Sequence, residues 1–189
     1  AHSRGLKVIA WFEYGFASQF GGDGVNPVLE AHPDWASADR FGNIAEDNGF
    51  YWMNSFHPEV QTFMNDLILE VVNNYDIDGV QGDDRLPAAP VEAGYDDFTV
   101  NLYRSEHAGM DPPVNEADNA WLQWRADILS DYAQDLYDQV KAADPDCLVT
   151  FSPSPYSFSY FNYLQDWPEW INRGVVDIVS PQLYRRDTD

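Results

Sequence analysis

Ile77-Asp78-Gly79-Val80-Gln81-Gly82-Asp83-Asp84 begins apolar, passes through two glycines and stops in two carboxylates. That is the composition of a buried strand that delivers charge at its C-terminal end. Immediately upstream, Pro58 and Glu59 open a segment in which Val60, Phe63, Met64, Leu67, Ile68, Val71 and Val72 recur at helical spacing until Asn73-Asn74. The spacing predicts an amphipathic helix leading into the strand. The same order repeats downstream. A helix is expected over 121–141, with Trp124, Ile128, Leu129, Tyr132, Leu136, Tyr137 and Val140 near one stripe. Pro145 closes it, and Leu148-Val149-Thr150-Phe151 reads as the next strand. Trp167-Pro168 starts a short helix to Gly174, and Val175-Val176-Asp177-Ile178-Val179 reads as the last strand.

Toward the start of the chain, Leu6-Lys7-Val8-Ile9-Ala10-Trp11-Phe12 has the pattern of a strand buried on both faces. Residues 15–49 mix glycine, proline and charge without a period, as a long, partly structured loop would, and 50–53 form one short apolar run. Alternating strands and helices imply a parallel sheet, because parallel neighbours need helical crossovers. The expected fold is α/β, a (β/α)₈ TIM-like barrel. An open doubly wound sheet is the alternative, and no glycine-rich nucleotide fingerprint supports it. A complete barrel takes roughly 250 residues, whereas the chain has 189. Residues 1–189 are therefore expected to form one domain covering the middle of the barrel, with further chain segments needed to complete it. Ala1-His2-Ser3-Arg4-Gly5 agrees, reading as the tail of a helix that ends at a glycine.

Acidic residues outnumber basic ones 32 to 10, a formal charge of −22. Such a surface repels phosphate backbones, which argues against nucleic acid as a partner, and suits an extracellular, periplasmic or cell-surface setting. There is no apolar stretch of ~20 residues, so membrane insertion is not expected. Cys147, the only cysteine, opens an apolar run and reads as a buried structural thiol. His2, His32, His57 and His107 are scattered, with no metal-ligand spacing. No metal or cofactor is expected, and His57, just before Pro58, is expected to cap or pack its helix.

In parallel α/β folds the C-terminal strand ends converge on one face. Those ends supply Glu13 and Tyr14, then Asp83, Asp84 and Arg85, then Ser152, Ser154 and Tyr156, and finally Gln182, Tyr184 and Arg185. Glycoside hydrolysis needs two carboxyl groups flanking the scissile bond. Asp83, Asp84 and Glu13 are the candidates. Adjacent aspartates also repel, which can raise one of them into the range of a general acid. The blander reading is a pair of exposed loop carboxylates beside Arg85. Trp11, Tyr14, Tyr156, Phe158, Tyr160 and Tyr184 at or past strand ends suit sugar stacking, with Arg85, Ser152 and Gln182 as hydroxyl readers. Trp121, Trp124 and Trp170 are expected in the core. Asp177, at the start of its strand, is expected to act structurally.

Asp78-Gly79-Val80-Gln81-Gly82-Asp83-Asp84-Arg85 resembles the strand-4 motif of the family 10-like glycosyl hydrolases, the DUF187 group. So do the stretch from Gly5 to Gly15, Leu164-Gln165-Asp166-Trp167-Pro168, and the stretch from Val176 to Tyr184. The resemblance implies a barrel related to the α-amylase type, acting on a polysaccharide or oligosaccharide. Its Asp-Gly-x-x-x-Asp spacing puts the nucleophile at Asp83. The amylase pattern also has an arginine two residues before the nucleophile and a glutamate acid after the next strand, where this chain has Gln81 and Ser152-Pro153-Ser154. The acid is left unassigned. A barrel that binds carbohydrate without cleaving it, and a structural protein of a surface assembly, remain the other readings.

Overall fold

The computed structural model describes residues 1–22 and 26–184; Arg185 lies outside them. In chain order the first elements are β1 (Ile9–Phe12), β2 (Ala17–Phe20), α1 (Pro27–Ala31), β3 (Glu46–Asp47), β4 (Phe50–Trp52) and α2 (Pro58–Asn74). Then come β5 (Gly79–Gly82), α3 (Asp97–Glu106), α4 (Asn119–Ala143), β6 (Leu148–Phe151), α5 (Tyr156–Tyr163), α6 (Trp167–Arg173) and β7 (Ile178–Val179). Four strands form one parallel sheet in the order β1-β5-β6-β7, with Ile9 opposite Gly79, Gly79 opposite Leu148 and Thr150 opposite Ile178. Helices α2, α4 and α6 lead into β5, β6 and β7, and α4 packs against both α2 and α6. This is a contiguous part of a (β/α) barrel, half the strands of a closed one.

The apolar stripes read from the sequence face the core. Val60, Met64 and Ile68 of α2 and Trp121, Leu129, Leu136 and Val140 of α4 are buried with Val80, Val149, Phe151 and Trp170. The His57 imidazole caps α2, its Nδ1 accepting a hydrogen bond from the Glu59 amide at 3.2 Å. Among the described residues no helix is long and apolar enough to cross a membrane.

Two aspartates pin the sheet at its N-terminal end in the same way. Asp78, just before β5, accepts from the Val8 amide at 2.6 Å and pairs with Lys7. Asp177, just before β7, accepts from the Val149 amide at 2.7 Å and pairs with Lys141 at 2.8 Å. Each carboxylate thus ties the foot of its own strand to the foot of the neighbour, which fixes register where the ladder begins. The hydrogen bond from Val8 and the contacts with His2 and Lys7 hold the Asp78 carboxyl at about 2. Beside this foot, Cys147 is buried and its thiol is pushed up by burial.

Two expectations need correction. The 6–12 run is not a strand buried on both faces: β1 is the edge of the described sheet, with Leu6, Ile9 and Trp11 exposed. The loop over 15–49, with the short run after it, builds its own antiparallel sheet, β2-β4-β3, so Phe50–Trp52 is no barrel strand. Past the end of β6, Tyr156, Phe158 and Tyr160 lie on α5, a helix the sequence did not mark. That helix buries only Ser159 and Tyr163, four residues apart, too sparse a stripe to read. Helix α3 is a further element beyond those expected, set by its cap, Asp96, whose carboxylate accepts from the Thr99 amide.

Removing the Asp177 carboxylate leaves the Val149 amide without its partner, at a cost of about 1–3 kcal/mol. Asp177→Ala is expected to lower the urea midpoint accordingly, with unchanged denaturant slope; an unchanged midpoint would count against this pin.

Candidate active site

The C-terminal end of β5 is shaped by close backbone approach. After Gly82 the chain folds back so tightly that the Leu86 carbonyl occupies the space a Cβ at position 82 would need. Gly15, at φ +51°, lets the end of β1 pass directly over the Arg85 carbonyl, which accepts from the Phe16 amide at 3.0 Å. Fully buried Gln165 completes the frame: its Nε2 donates to the carbonyls of Asp83 and Pro87, both at 3.2 Å. The loop carrying the two aspartates is therefore held from three sides.

Arg85 organises what the loop presents. Its Nη2 donates to Asp83 Oδ2 at 2.8 Å and its Nε to the Glu13 carbonyl at 2.9 Å, while Nη1 pairs with Asp84 Oδ1 at 3.0 Å. The Glu13 carboxylate stands 3.8 Å from Nη2, and the Phe50 ring lies under the guanidinium at 4.4 Å. One cation thus serves three carboxylates.

The two aspartates differ sharply. Asp83 is 2% exposed, with Oδ1 accepting from the Arg85 amide at 2.9 Å. Burial, with the Asp84 charge adding to it, outweighs Arg85 and pushes the Asp83 carboxyl up to about 7. The Asp84 side chain is 28% exposed and opens on a cavity of about 150 Å³. Asp47, Asn48, Phe50, Trp52 and Tyr163 line the rest of that cavity with Arg85. Across it the Tyr163 hydroxyl donates to Asp47 Oδ2 at 2.5 Å, and Asn48 Nδ2 donates to the same oxygen at 2.9 Å. Burial and the Asp47 carboxylate push the Tyr163 phenol up.

Glu13, Tyr14, Asp83, Asp84 and Arg85 are the expected residues that come together; Tyr14 joins through an edge-on contact with Phe50 at 5.7 Å. Glu13 also lines a groove of about 430 Å³ between β1 and α2, shared with Trp11, Phe63 and Leu67. Ser152, Gln182 and Tyr184 form a separate set: Gln182 Nε2 donates to the Ser152 carbonyl at 2.6 Å, and the Tyr184 hydroxyl to Gln182 Oε1 at 2.7 Å. Tyr156 packs edge-on against Trp167. A roomier cavity of about 560 Å³, lined by Pro33, Ser37, His57 and Phe98, includes none of the strand-end residues. Among the described residues, no group of three or more His, Cys, Asp or Glu side chains could hold a metal ion.

Asp47, Asn48, Tyr163 and Gln165 escaped the sequence reading as site residues. One signal for the first two was available. Asn48-Gly49, with φ of 51° and 83°, is the turn pair of a tight hairpin, and it projects Asp47 from β3 toward β5.

A parallel sheet that gathers its carboxylates and one arginine at the C-terminal strand ends is the arrangement of a (β/α)-barrel domain with its site at that face. Residues 1–189 match the glycosyl hydrolase-like 10 family throughout, and the chain belongs to it. It is 28% identical over 206 residues to glycosyl hydrolase YngK of Bacillus subtilis (strain 168), covering 97% of this chain and 37% of that protein. To glycosyl hydrolase DigH of Escherichia coli (strain K12) it is 27% identical over 216 residues, covering 97% and 44%. The chain thus spans less than half the length of these relatives. Among solved structures it resembles the PgaB (BpsB) glycoside hydrolase domain from Bordetella bronchiseptica, with a TM-score of 0.69 and 17% identity, over 94% of this chain and 51% of that one. A β-galactosidase from Rahnella sp. R3 aligns with a TM-score of 0.63 and 15% identity, over 98% and 31%. At these identities the likeness is one of fold.

Because the Asp83 carboxyl is raised above its unfolded value, its contribution is favourable below about pH 4 and is lost as pH rises toward 7. Stability of the wild type, measured by urea unfolding, should fall relative to Asp83→Asn across pH 4 to 7. Parallel curves for the two proteins would contradict the raised carboxyl.

Proposed function

We propose that this chain carries the catalytic face of a glycoside hydrolase that cleaves a polysaccharide or oligosaccharide, with Asp84 as the carboxylate that meets the sugar. The supporting observation is the contrast between the two aspartates. Asp84 opens on the cavity, while Asp83 is buried and committed to Arg85. Spacing along the motif favours Asp83 as nucleophile; burial favours Asp84, because a nucleophile or base must reach the anomeric centre or its water. Asp83 then acts as a positioning residue. It holds the guanidinium that in turn orients Asp84, at 3.0 Å.

Hydrolysis breaks the bond between the anomeric carbon and the glycosidic oxygen. A carboxyl gives its proton to that oxygen, and water adds its oxygen to the anomeric carbon, returning a proton to the protein. Arg85 fits this chemistry by keeping a fixed positive charge beside a carboxylate that must stay aligned. Binding without cleavage is the competing reading, motivated by the absence of a glutamate after β6, where Ser152-Pro153-Ser154 stands.

Reducing-end release from a panel of polysaccharides by the intact protein tests this. Activity on at least one glycan is expected, with Asp84→Asn lowering kcat roughly 10³-fold or more while glycan binding survives. Asp83→Asn should cost less and raise KM and lower kcat together, as misorientation does. Binding to a glycan with no release of reducing ends would favour the non-catalytic barrel.

A further inference from the structure

The carboxylate that the sequence left unassigned has a candidate on the hairpin that folds over the strand ends. We propose that Asp47 is the second carboxyl group of the site, working across the cavity from Asp84 and aligned by the Tyr163 hydroxyl. This rests on the hydrolase reading above.

Three observations carry it. Asp47 and Asp84 line the same cavity of about 150 Å³ from opposite sources, the antiparallel hairpin and the end of β5. A scissile bond held in that cavity would have two carboxyl groups within its lining, the number glycoside hydrolysis requires. Second, Asp47 is aligned by neighbours that leave one oxygen uncommitted. Tyr163 and Asn48 both donate to Oδ2, and no donor among the described residues is bonded to Oδ1. Third, Tyr163 is buried, fixed at the C-terminal end of α5 and edge-on to Phe158, so its hydrogen bond has little freedom to wander.

Glu13 fits the role less well. Its carboxylate is 55% exposed and approaches Arg85 only at 3.8 Å. It lines the β1–α2 groove and not the cavity that contains Asp84. In the step assigned here, Asp47 Oδ1 delivers its proton to the glycosidic oxygen as the bond to the anomeric carbon breaks. Asp84 either bonds that carbon or takes a proton from the water that does. If Asp84 bonds the carbon, water then displaces it, giving hydroxyl to carbon and its proton to Asp47; if Asp84 takes the water's proton, Asp84 releases it to solvent and Asp47 regains one from solvent, so either way the protein returns to its starting state.

The test uses the intact protein, the glycan it cleaves best, and the 2,4-dinitrophenyl glycoside of the sugar released from that glycan. Asp47→Asn should lower kcat/KM on the glycan roughly 100-fold or more. On the dinitrophenyl glycoside, whose leaving group needs no proton, the loss should be at most a few-fold, and the alkaline limb of the pH–rate profile should flatten. Tyr163→Phe, which keeps the carboxyl and removes its aligning bond, should shift that limb with a smaller loss; it also guards against misfolding of the first variant. If the wild type cleaves the glycan and Asp47→Asn matches it, or loses equally on both substrates, Asp47 is not the acid. If Glu13→Gln alone flattens the alkaline limb, the role belongs to Glu13. A wild type inert toward every glycan overturns the hydrolase reading and this inference with it.

Discussion

A single guanidinium facing three carboxylates governs the catalytic face of this domain. Arg85 sits within 4 Å of Asp83, Asp84 and Glu13, in a chain whose net charge is −22. Without it, adjacent aspartates at the end of a buried strand would repel each other and the desolvated one would dominate the cost of folding. With it, one aspartate can be buried as a fixed strut while the next is turned outward. The position of Arg85 is itself fixed by backbone: Gly15 crosses its carbonyl, its Nε holds the Glu13 carbonyl, and Phe50 supports its face. A lysine would supply the charge without the fork that reaches several acceptors at once.

The opposite end of the sheet is held by a different economy. Asp78 and Asp177 each use a carboxylate to close the first rung beside a parallel strand. Parallel strands lack the tight turns that set register in hairpins, so a side chain that reaches across at the foot of the strand does that work. The two ends therefore divide the labour of aspartate: at the foot it fixes register, at the head it presents charge. The Asp-Gly of residues 78–79 combines a register pin with a strand start that Leu148 packs against so closely that only glycine fits.

The helices α2 and α4, the parallel strands and the cluster around Arg85 were legible because each is written locally, as a 3.6-residue stripe or a strand that ends in carboxylates. Where the chain gave no period, the described residues still build a sheet. Asp47 reaches the site through the Asn48-Gly49 turn of an antiparallel sheet inserted between β1 and α2, and nothing local marks a partner 116 residues away in Tyr163. The same limit explains Asp83 and Asp84: adjacent in sequence and identical in chemistry, they part only when Leu86 folds back and Gln165 closes over one of them. Motif spacing carries no information about which of two neighbours is buried. Helix α5 was not legible either, since only Ser159 and Tyr163 of its eight residues pack inward.

Cys147 gives the fold a property independent of its chemistry on sugars. It is the only thiol in the chain, it is buried, and it lies at the foot of β6 where Asp177 and Lys141 close the sheet. A reagent can modify it only when that corner opens, so its rate of labelling measures local unfolding of the central sheet against the silent background of every other residue. The molecule carries its own gauge of how often its strands part.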